Sequence, residues 1–350
     1  MKKLRTGALS RLADRYLGSF LIYGASLLKS KRTFKGSVNR AAFLKTAAIG
    51  DTILISAVVS GFRQTYPNAE LVFVCGEGNS LAASMFADQI VTIDHRKPAK
   101  AIKKVRSLGH FDAVLDFGSW PSFDALVASS FNSDFTVGFK TQGRHRHYLY
   151  DKVIEHSQEV HELENYKRLA KLINIESDSM SSIKLDVEKQ DKRVVFHMFS
   201  GGSKWYLKEW AAEKWLILAD ILCSKGYEVC VTGAKDDYER AVLFCRDTGG
   251  RAVNCAGKSF AETAELLKSS SLVVSVNTGV MHLACAVGCN VIDLCGPVRP
   301  ERWGGVSENC VSLASSAPYI SLGFEEKEGN PMNEICIESV LTEAKRFIDI

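Results

Sequence analysis

A chain of 350 residues, 46% apolar and 24% charged, is long enough for two α/β domains, and its composition excludes a disordered or collagen-like polymer. Its net charge of +4 conceals an asymmetry: residues 1–40 hold ten Lys and Arg against Asp14 alone, a balance of +9, which leaves −5 for the other 310 residues. Ten cysteines form no C-x-x-C pair and mostly sit in apolar runs, so they read as free thiols of a reducing compartment and offer a metal no paired ligands.

Residues 1–39 form the basic arm. Its apolar run at 16–28 spans 13 residues, short of the roughly 20 that a membrane-crossing helix needs. Three readings stay open. The basic flanks and Tyr16, Phe20 and Tyr23 suit an amphipathic helix lying on an anionic membrane surface. A helix packed on the protein body is the second reading. The third, a cleaved signal peptide, lacks a small-x-small site.

Beyond the arm, apolar runs predict strands at 41–45, 70–75, 89–93, 113–117 and 135–139. Helical patterns fall between them at 52–65, 80–86, 99–107 and 121–131, with another at 162–173. A polar stretch follows, and residues 176–192 are the linker candidate between domains at 40–175 and 193–350. The alternation then restarts with strands at 193–198, 228–232, 251–254, 272–276 and 290–294. Helices are expected at 211–223, 237–246, 260–269 and 278–287, and a closing helix at 333–348 is placed to pack back on the first domain. Strands alternating with helices specify parallel sheets covered on both faces. The expected architecture is α/β: two doubly wound, Rossmann-like domains facing a central cleft.

In such sheets ligands bind beyond the carboxyl ends of the strands, so the strand-to-helix junctions are where chemistry is sought. The first junction, Leu44-Lys45-Thr46-Ala47-Ala48-Ile49-Gly50-Asp51, has neither G-x-G-x-x-G nor a G-x-x-x-x-G-K-[ST] loop. It does place Asp51 at a helix start, either as a cap or as a general base, whose anionic form a helix N-terminus favours. Ser200-Gly201-Gly202-Ser203-Lys204, with Lys208 beyond, combines small residues with positive charge suited to phosphate, though an ordinary turn reads the same way. In Thr232-Gly233-Ala234-Lys235-Asp236-Asp237 an aspartate caps the next helix or accepts from ribose hydroxyls. Asn277-Thr278-Gly279-Val280-Met281-His282 opens a helix after a strand, where free N–H groups and the helix dipole favour a phosphate. The loop 296–304 forms a second wall beside it. His282 is as readily a packing residue as a ligand contact. Gly143-Arg144-His145-Arg146-His147 is a basic loop that could meet acceptor phosphates or simply be solvated. No D-x-D motif suggests a chelated divalent ion, and no cofactor, metal or nucleic-acid partner is expected.

These blocks, in this order and with the Lys208-Glu209-Trp210 and Gly296-Pro297-Val298-Arg299-Pro300 segments, resemble glycosyltransferase family 9, the heptosyltransferases of lipopolysaccharide assembly. The resemblance runs from about residue 40 to the end of the chain. It implies a GT-B fold and inverting, metal-independent transfer of heptose from ADP-heptose to a lipopolysaccharide core or lipid-linked acceptor. Carried onto this sequence, it makes Asp51 the catalytic base, Lys208 a contact to the donor phosphates, Thr278 and Gly279 the diphosphate site and Asp236 a ribose candidate, while Arg144 and Arg146 of the basic loop stand as candidate acceptor contacts. With the junction residues added, the expected donor-binding set is Ser200, Gly201, Lys204, Lys208, Gly233, Asp236, Asn277, Thr278, Gly279, Val280 and His282. The implied location is cytoplasmic, at the inner face of the membrane. One departure stands out: Asn277 occupies a position where the family usually has Asp. A nucleotide-sugar epimerase on the same plan, and a non-catalytic relative that binds nucleotide-sugar, remain alternatives.

Overall fold

The computed structural model describes residues 8–27, 29–202, 205–316 and 330–350. The chain divides into two compact units with the boundary between Ser179 and Met180, inside the polar stretch. In the first unit the strands are β1 (Arg40–Lys45), β2 (Glu70–Cys75), β3 (Gln89–Thr92), β4 (His110–Asp116), β5 (Asn132–Lys140) and β6 (Lys152–Glu155). The helices are α1 (Ala8–Ser26), α2 (Ile49–Thr65), α3 (Ser80–Ala83), α4 (Pro98–Arg106), α5 (Ser122–Ser129) and α6 (Glu162–Ala170). All pairings are parallel, in the order β3-β2-β1-β4-β5-β6. β6 was not foreseen, because Lys152-Val153-Ile154-Glu155 is a short edge strand whose two apolar residues make no run.

The second unit holds β7 (Gln190–His197), β8 (Glu228–Thr232), β9 (Ala252–Asn254), β10 (Ser270–Val276), β11 (Val291–Gly296) and β12 (Cys310–Ala314). Its helices are α7 (Ala212–Ser224), α8 (Tyr238–Asp247), α9 (Phe260–Ser269), α10 (Gly279–Ala286), α11 (Pro300–Trp303) and α12 (Ile337–Ala344). The order β12-β11-β10-β7-β8-β9 is, counted within the unit, the same doubly wound order as in the first. Edge strand β12, Cys310-Val311-Ser312-Leu313-Ala314, was not foreseen either. The closing helix is shorter than expected, and Val340, Ala344 and Ile348 pack into the core of the second unit with Trp210, Trp215 and Leu294.

The central strands are almost wholly buried, which is why Phe43, Val72, Val114, Val195, Val274 and Ile292 follow one another without polar alternation. In each sheet the strand order reverses between the first and fourth strands of the unit. Connections there leave toward opposite faces, so the loops part and leave a crevice. In the first unit that point lies at the ends of β1 and β4, and in the second at the ends of β7 and β10.

Helix α1 is part of the first unit rather than a loose arm. Asp14 accepts the Ser122 and Phe123 backbone N–H groups, both at 3.2 Å, and so caps α5 from another helix. Gly18 lies against Ser122, where a Cβ would come within 2.6 Å of the serine Cβ, and Ile22 is wholly buried in the core. The opposite side carries Tyr16, Leu17, Phe20, Tyr23 and Leu27 in solvent, Phe20 at 74% exposure. Much of the arm's charge is neutralised internally: Lys29 and Arg32 pair with buried Asp151, Lys35 with Asp134 and Arg40 with Glu70. Asp14→Ala is expected to lower the unfolding free energy by about 1 kcal/mol, the usual loss of a capping group, and to speed tryptic cleavage within α1. Chemical denaturation and timed digestion measure both.

Candidate functional site

The first half-site grows from the end of β1. Lys45, the last residue of a buried strand, is 4% exposed and must find partners for its ammonium. Its three N–H donors go to Asp51 Oδ2 at 2.8 Å, the Tyr166 hydroxyl at 2.8 Å and the Phe117 carbonyl at 3.2 Å. Asp51 stands in the first turn of α2, with its side chain still 22% exposed. It makes no side-chain cap: the N-cap is Ala48, which has no side-chain hydrogen bond. One carboxylate oxygen is thus held by Lys45, and the other has no protein partner among the described residues.

Beside it, Thr46 donates to Asp124 Oδ1 at 2.8 Å. Asp124 and Asp116 approach each other at Gly118, where a Cβ would lie 2.6 Å from Asp124 Oδ2 and 2.9 Å from Asp116 Oδ1. Asp116, fully buried at the end of β4, accepts from Arg146 Nη2 and from the Tyr150 hydroxyl, both at 2.6 Å. Arg146 also donates to the Gly118 carbonyl. This corrects the expectation of Arg146 as an acceptor contact: its guanidinium is inaccessible, enclosed by the groups that neutralise Asp116. Arg144 is partly exposed, over the Trp120 ring and 3.6 Å from Asp14, and so sits where the basic loop meets α1.

The second half-site lies beyond β7, β8 and β10. Ser200 is buried, and its N–H donates to Glu209 Oε1 at 2.8 Å. Glu209 is gripped by Arg240, at 2.5 and 3.1 Å, and Arg240 stacks over Phe199 and Trp205. Lys208 Nζ donates to the Gly201 carbonyl at 2.9 Å, closing the same loop. Ser203 and Lys204 lie outside the described residues. At the next turn the two aspartates separate. Asp237 is buried and accepts from the Ala234 N–H at 3.1 Å, making it the local cap, while Asp236 is exposed. Gly233 is packed so closely that a Cβ would sit 2.9 Å from Phe199.

Thr278 is the N-cap residue of α10, extended in backbone, and its side chain caps nothing. Its buried hydroxyl has no partner among the described residues. Free N–H groups of Gly279 and Val280 at the start of the helix join that hydroxyl to form a donor cluster suited to an anion. His282, one turn on, is 6% exposed and faces the packing side. The neighbouring loop leaves β11 at Gly296, whose φ of +50° and contact with the Met332 side chain exclude a larger residue.

The family profile described as glycosyltransferase family 9 (heptosyltransferase) matches residues 99–330. The chain belongs to that family. Among curated relatives, lipopolysaccharide core heptosyltransferase OpsX of Haemophilus influenzae is 23% identical, matching 87% of this chain and 95% of its own length. Lipopolysaccharide heptosyltransferase 1 of Pseudomonas aeruginosa is 30% identical over 40% of this chain, and the match spans only 41% of that protein. Among solved structures, E. coli heptosyltransferase WaaC with ADP superposes with a TM-score of 0.73 at 20% identity, over 88% of this chain and 99% of that one. A family 9 glycosyltransferase from Veillonella parvula gives the same TM-score at 16% identity, over 88% and 97%. The family fold is therefore the GT-B arrangement of two parallel sheets expected from the sequence.

Several site residues were missed by sequence reasoning: Lys45, Thr46, Asp116, Asp124, Arg240 and Asp293. For three of them a signal existed, since Lys45, Asp116 and Asp293 are charges within or ending apolar strands, and such a charge must be paired. Two predictions follow from the first half-site. Arg146→Met leaves Asp116 buried without its cation and should cost about 3–5 kcal/mol of stability, measured by chemical denaturation. Burial, and then the Asp116 charge, pushes Asp124 up to about 7 from 3.8. A carboxyl raised on folding binds its proton more tightly in the folded state, so its stabilising contribution is full below 3.8 and is lost as pH rises through about 7. Asp124→Asn should flatten that fall, read as melting temperature against pH.

Proposed function

We propose that this family 9 glycosyltransferase moves a heptose from ADP-heptose to a lipopolysaccharide core or related lipid-linked acceptor, with inversion and without a metal ion. One observation carries the reading: at their switch points the units hold complementary groups. Asp51 is a carboxylate fixed through one oxygen and open at the other, and the Thr278 corner is a set of unsatisfied donors.

A sugar hydroxyl is a weak nucleophile at neutral pH. The open oxygen of Asp51 can take its proton as it attacks the anomeric carbon, while Lys45 holds the carboxylate in place and offsets its charge. Attack from the face opposite the leaving group inverts the anomeric centre. The departing nucleoside diphosphate develops negative charge, which the α10 N–H groups, the Thr278 hydroxyl and Lys208 stabilise. Asp236, exposed at the neighbouring turn, is free to accept from ribose hydroxyls. The names of the relatives, lipopolysaccharide and lipooligosaccharide heptosyltransferases, support donor and acceptor alike.

The lipid-linked acceptor agrees with α1. Among the described residues no helix is long and apolar enough to cross a membrane. Tyr16, Phe20, Tyr23 and Leu27 nevertheless lie on one exposed helical side, the pattern of a helix resting in a bilayer interface. We read α1 as a docked membrane-surface element at the inner face of the cytoplasmic membrane.

Mixing the purified protein with ADP-heptose and core oligosaccharide tests the function, since transfer, an isomerised donor and binding alone are distinct products. Asp51→Ala is expected to lower kcat by about a hundredfold or more with the fold intact, the scale of a lost general base. Wild-type turnover in that variant removes Asp51 from the mechanism. Phe20→Ser with Tyr23→Ser should weaken binding to anionic vesicles by about tenfold or more while leaving turnover on a soluble acceptor unchanged. Unchanged vesicle sedimentation would rule out the membrane role of α1.

A further inference from the structure

Next to the donor corner a carboxylate is buried where a strand interior should be apolar. Asp293 lies in the middle of β11 and is wholly inaccessible. It accepts from Cys295 Sγ at 3.0 Å, Ser312 Oγ at 3.1 Å and the Gly305 N–H at 3.2 Å. Its remaining partner is Asn277, whose Nδ2 lies 3.1 Å from Asp293 Oδ2 and 3.3 Å from Oδ1. The same Nδ2 donates to the Trp303 carbonyl at 2.9 Å.

An amide nitrogen has two N–H groups, and here both are taken, one by the carboxylate and one by the carbonyl. Turning the amide over would set its oxygen against these oxygens, so only one orientation is satisfied. Asn277 Oδ1 is then directed away from Asp293 and Trp303. It has no protein partner among the described residues, and its backbone leads directly into the Thr278 and Gly279 donor cluster. A carboxylate at position 277 could not sit there unchanged. Two acids about 3 Å apart cannot both ionise, and neither could donate to the Trp303 carbonyl without a proton. Burial already pushes Asp293 up to about 6.

We infer that Asp293 is a positioning residue for the donor site, locking Asn277 as a neutral, acceptor-only contact for a hydroxyl of the donor's sugar. The sugar it selects is a neutral polyhydroxylated one, because a sugar carboxylate would set its own oxygen against Oδ1. This inference rests on the donor reading above. It goes further by assigning the sugar contact to a pair of residues and explaining why asparagine stands at position 277.

The test is steady-state kinetics with ADP-heptose and core oligosaccharide for wild type, Asn277→Asp, Asp293→Asn and the double swap. ADP is the competing ligand that lacks the sugar, and melting temperature is followed in parallel. Asn277→Asp is expected to raise the donor KM by about tenfold or more while leaving the ADP inhibition constant within about twofold. The double swap restores a single carboxylate but leaves no N–H at position 277 for the Trp303 carbonyl, so it should recover only part of the loss, with a donor KM between those of wild type and Asn277→Asp. Should Asp293→Asn fail to fold, Asn277→Asp and the swap still decide. A donor KM unchanged in Asn277→Asp, or a loss shared equally by ADP, overturns the inference, the second because it marks a purely structural role. Wild type that transfers no heptose removes the donor reading itself, and the inference with it; wild-type transfer with unaffected variants removes the inference alone.

Discussion

Charge at the carboxyl ends of buried parallel strands is the constraint on which the rest of this protein depends. A parallel sheet covered on both faces has no water to offer its polar residues, so each must be met by protein or bring a cost of several kcal/mol. Lys45 closes β1 and is satisfied by Asp51, Tyr166 and Phe117. Asp116 closes β4 and is met by Arg146 and Tyr150. His197 ends β7 and bonds the Thr232 hydroxyl at the end of β8, 3.0 Å away. Asp293 sits within β11 and gathers Asn277, Cys295, Ser312 and Gly305. Lys45, Asp116 and His197 stand at the strand ends that open into a crevice and Asp293 within its strand, and the partners they recruit come from neighbouring helices, strands and loops. Satisfying buried charge and building a rigid site are in this protein one structural problem.

That coupling accounts for the contrast between the two units. In the first, the recruited partners are other ionisable groups, and one of them, Asp51, keeps an oxygen to spare. A carboxylate braced by a buried lysine is suited to moving a proton. In the second, the loops are held by Glu209 with Arg240 and by Asn277 with Asp293, and the unsatisfied groups are donors at the start of α10. Donors without partners suit a ligand that brings negative charge. In the proposed function the same strand order serves a proton acceptor in one unit and an anion in the other, and the difference lies in which residues end the strands.

Helix α1 follows a different rule, because it has two surfaces to satisfy. Gly18 and Ile22 meet the domain, and Asp14 caps a helix distant in sequence, so the basic arm is anchored through its middle. What it leaves outward is aromatic and aliphatic. The readings of the arm as a packed helix and as an interfacial helix are compatible: one describes each side.

Much was legible from residue order alone. The alternation of apolar strands with helical patterns determined two doubly wound domains, and the small residues at strand-to-helix junctions marked the candidate site corners, because both signals are local and follow from backbone geometry. Short edge strand β6 was not legible, since a strand with only two apolar residues carries no periodic signal, and β12 was passed over. The family blocks singled out Asp51, Thr278 and Gly279, which the structure sets at helix starts. They could not tell that Arg146 is buried against Asp116, that Asp237 rather than Asp236 turns inward to the Ala234 N–H, or that the last helix joins the second unit's core. Each of those depends on partners 30 or more residues away, or on which of two adjacent side chains turns inward. Residue order specifies what a segment can become, and only the folded chain decides which charges meet, because pairing is settled by distance in space.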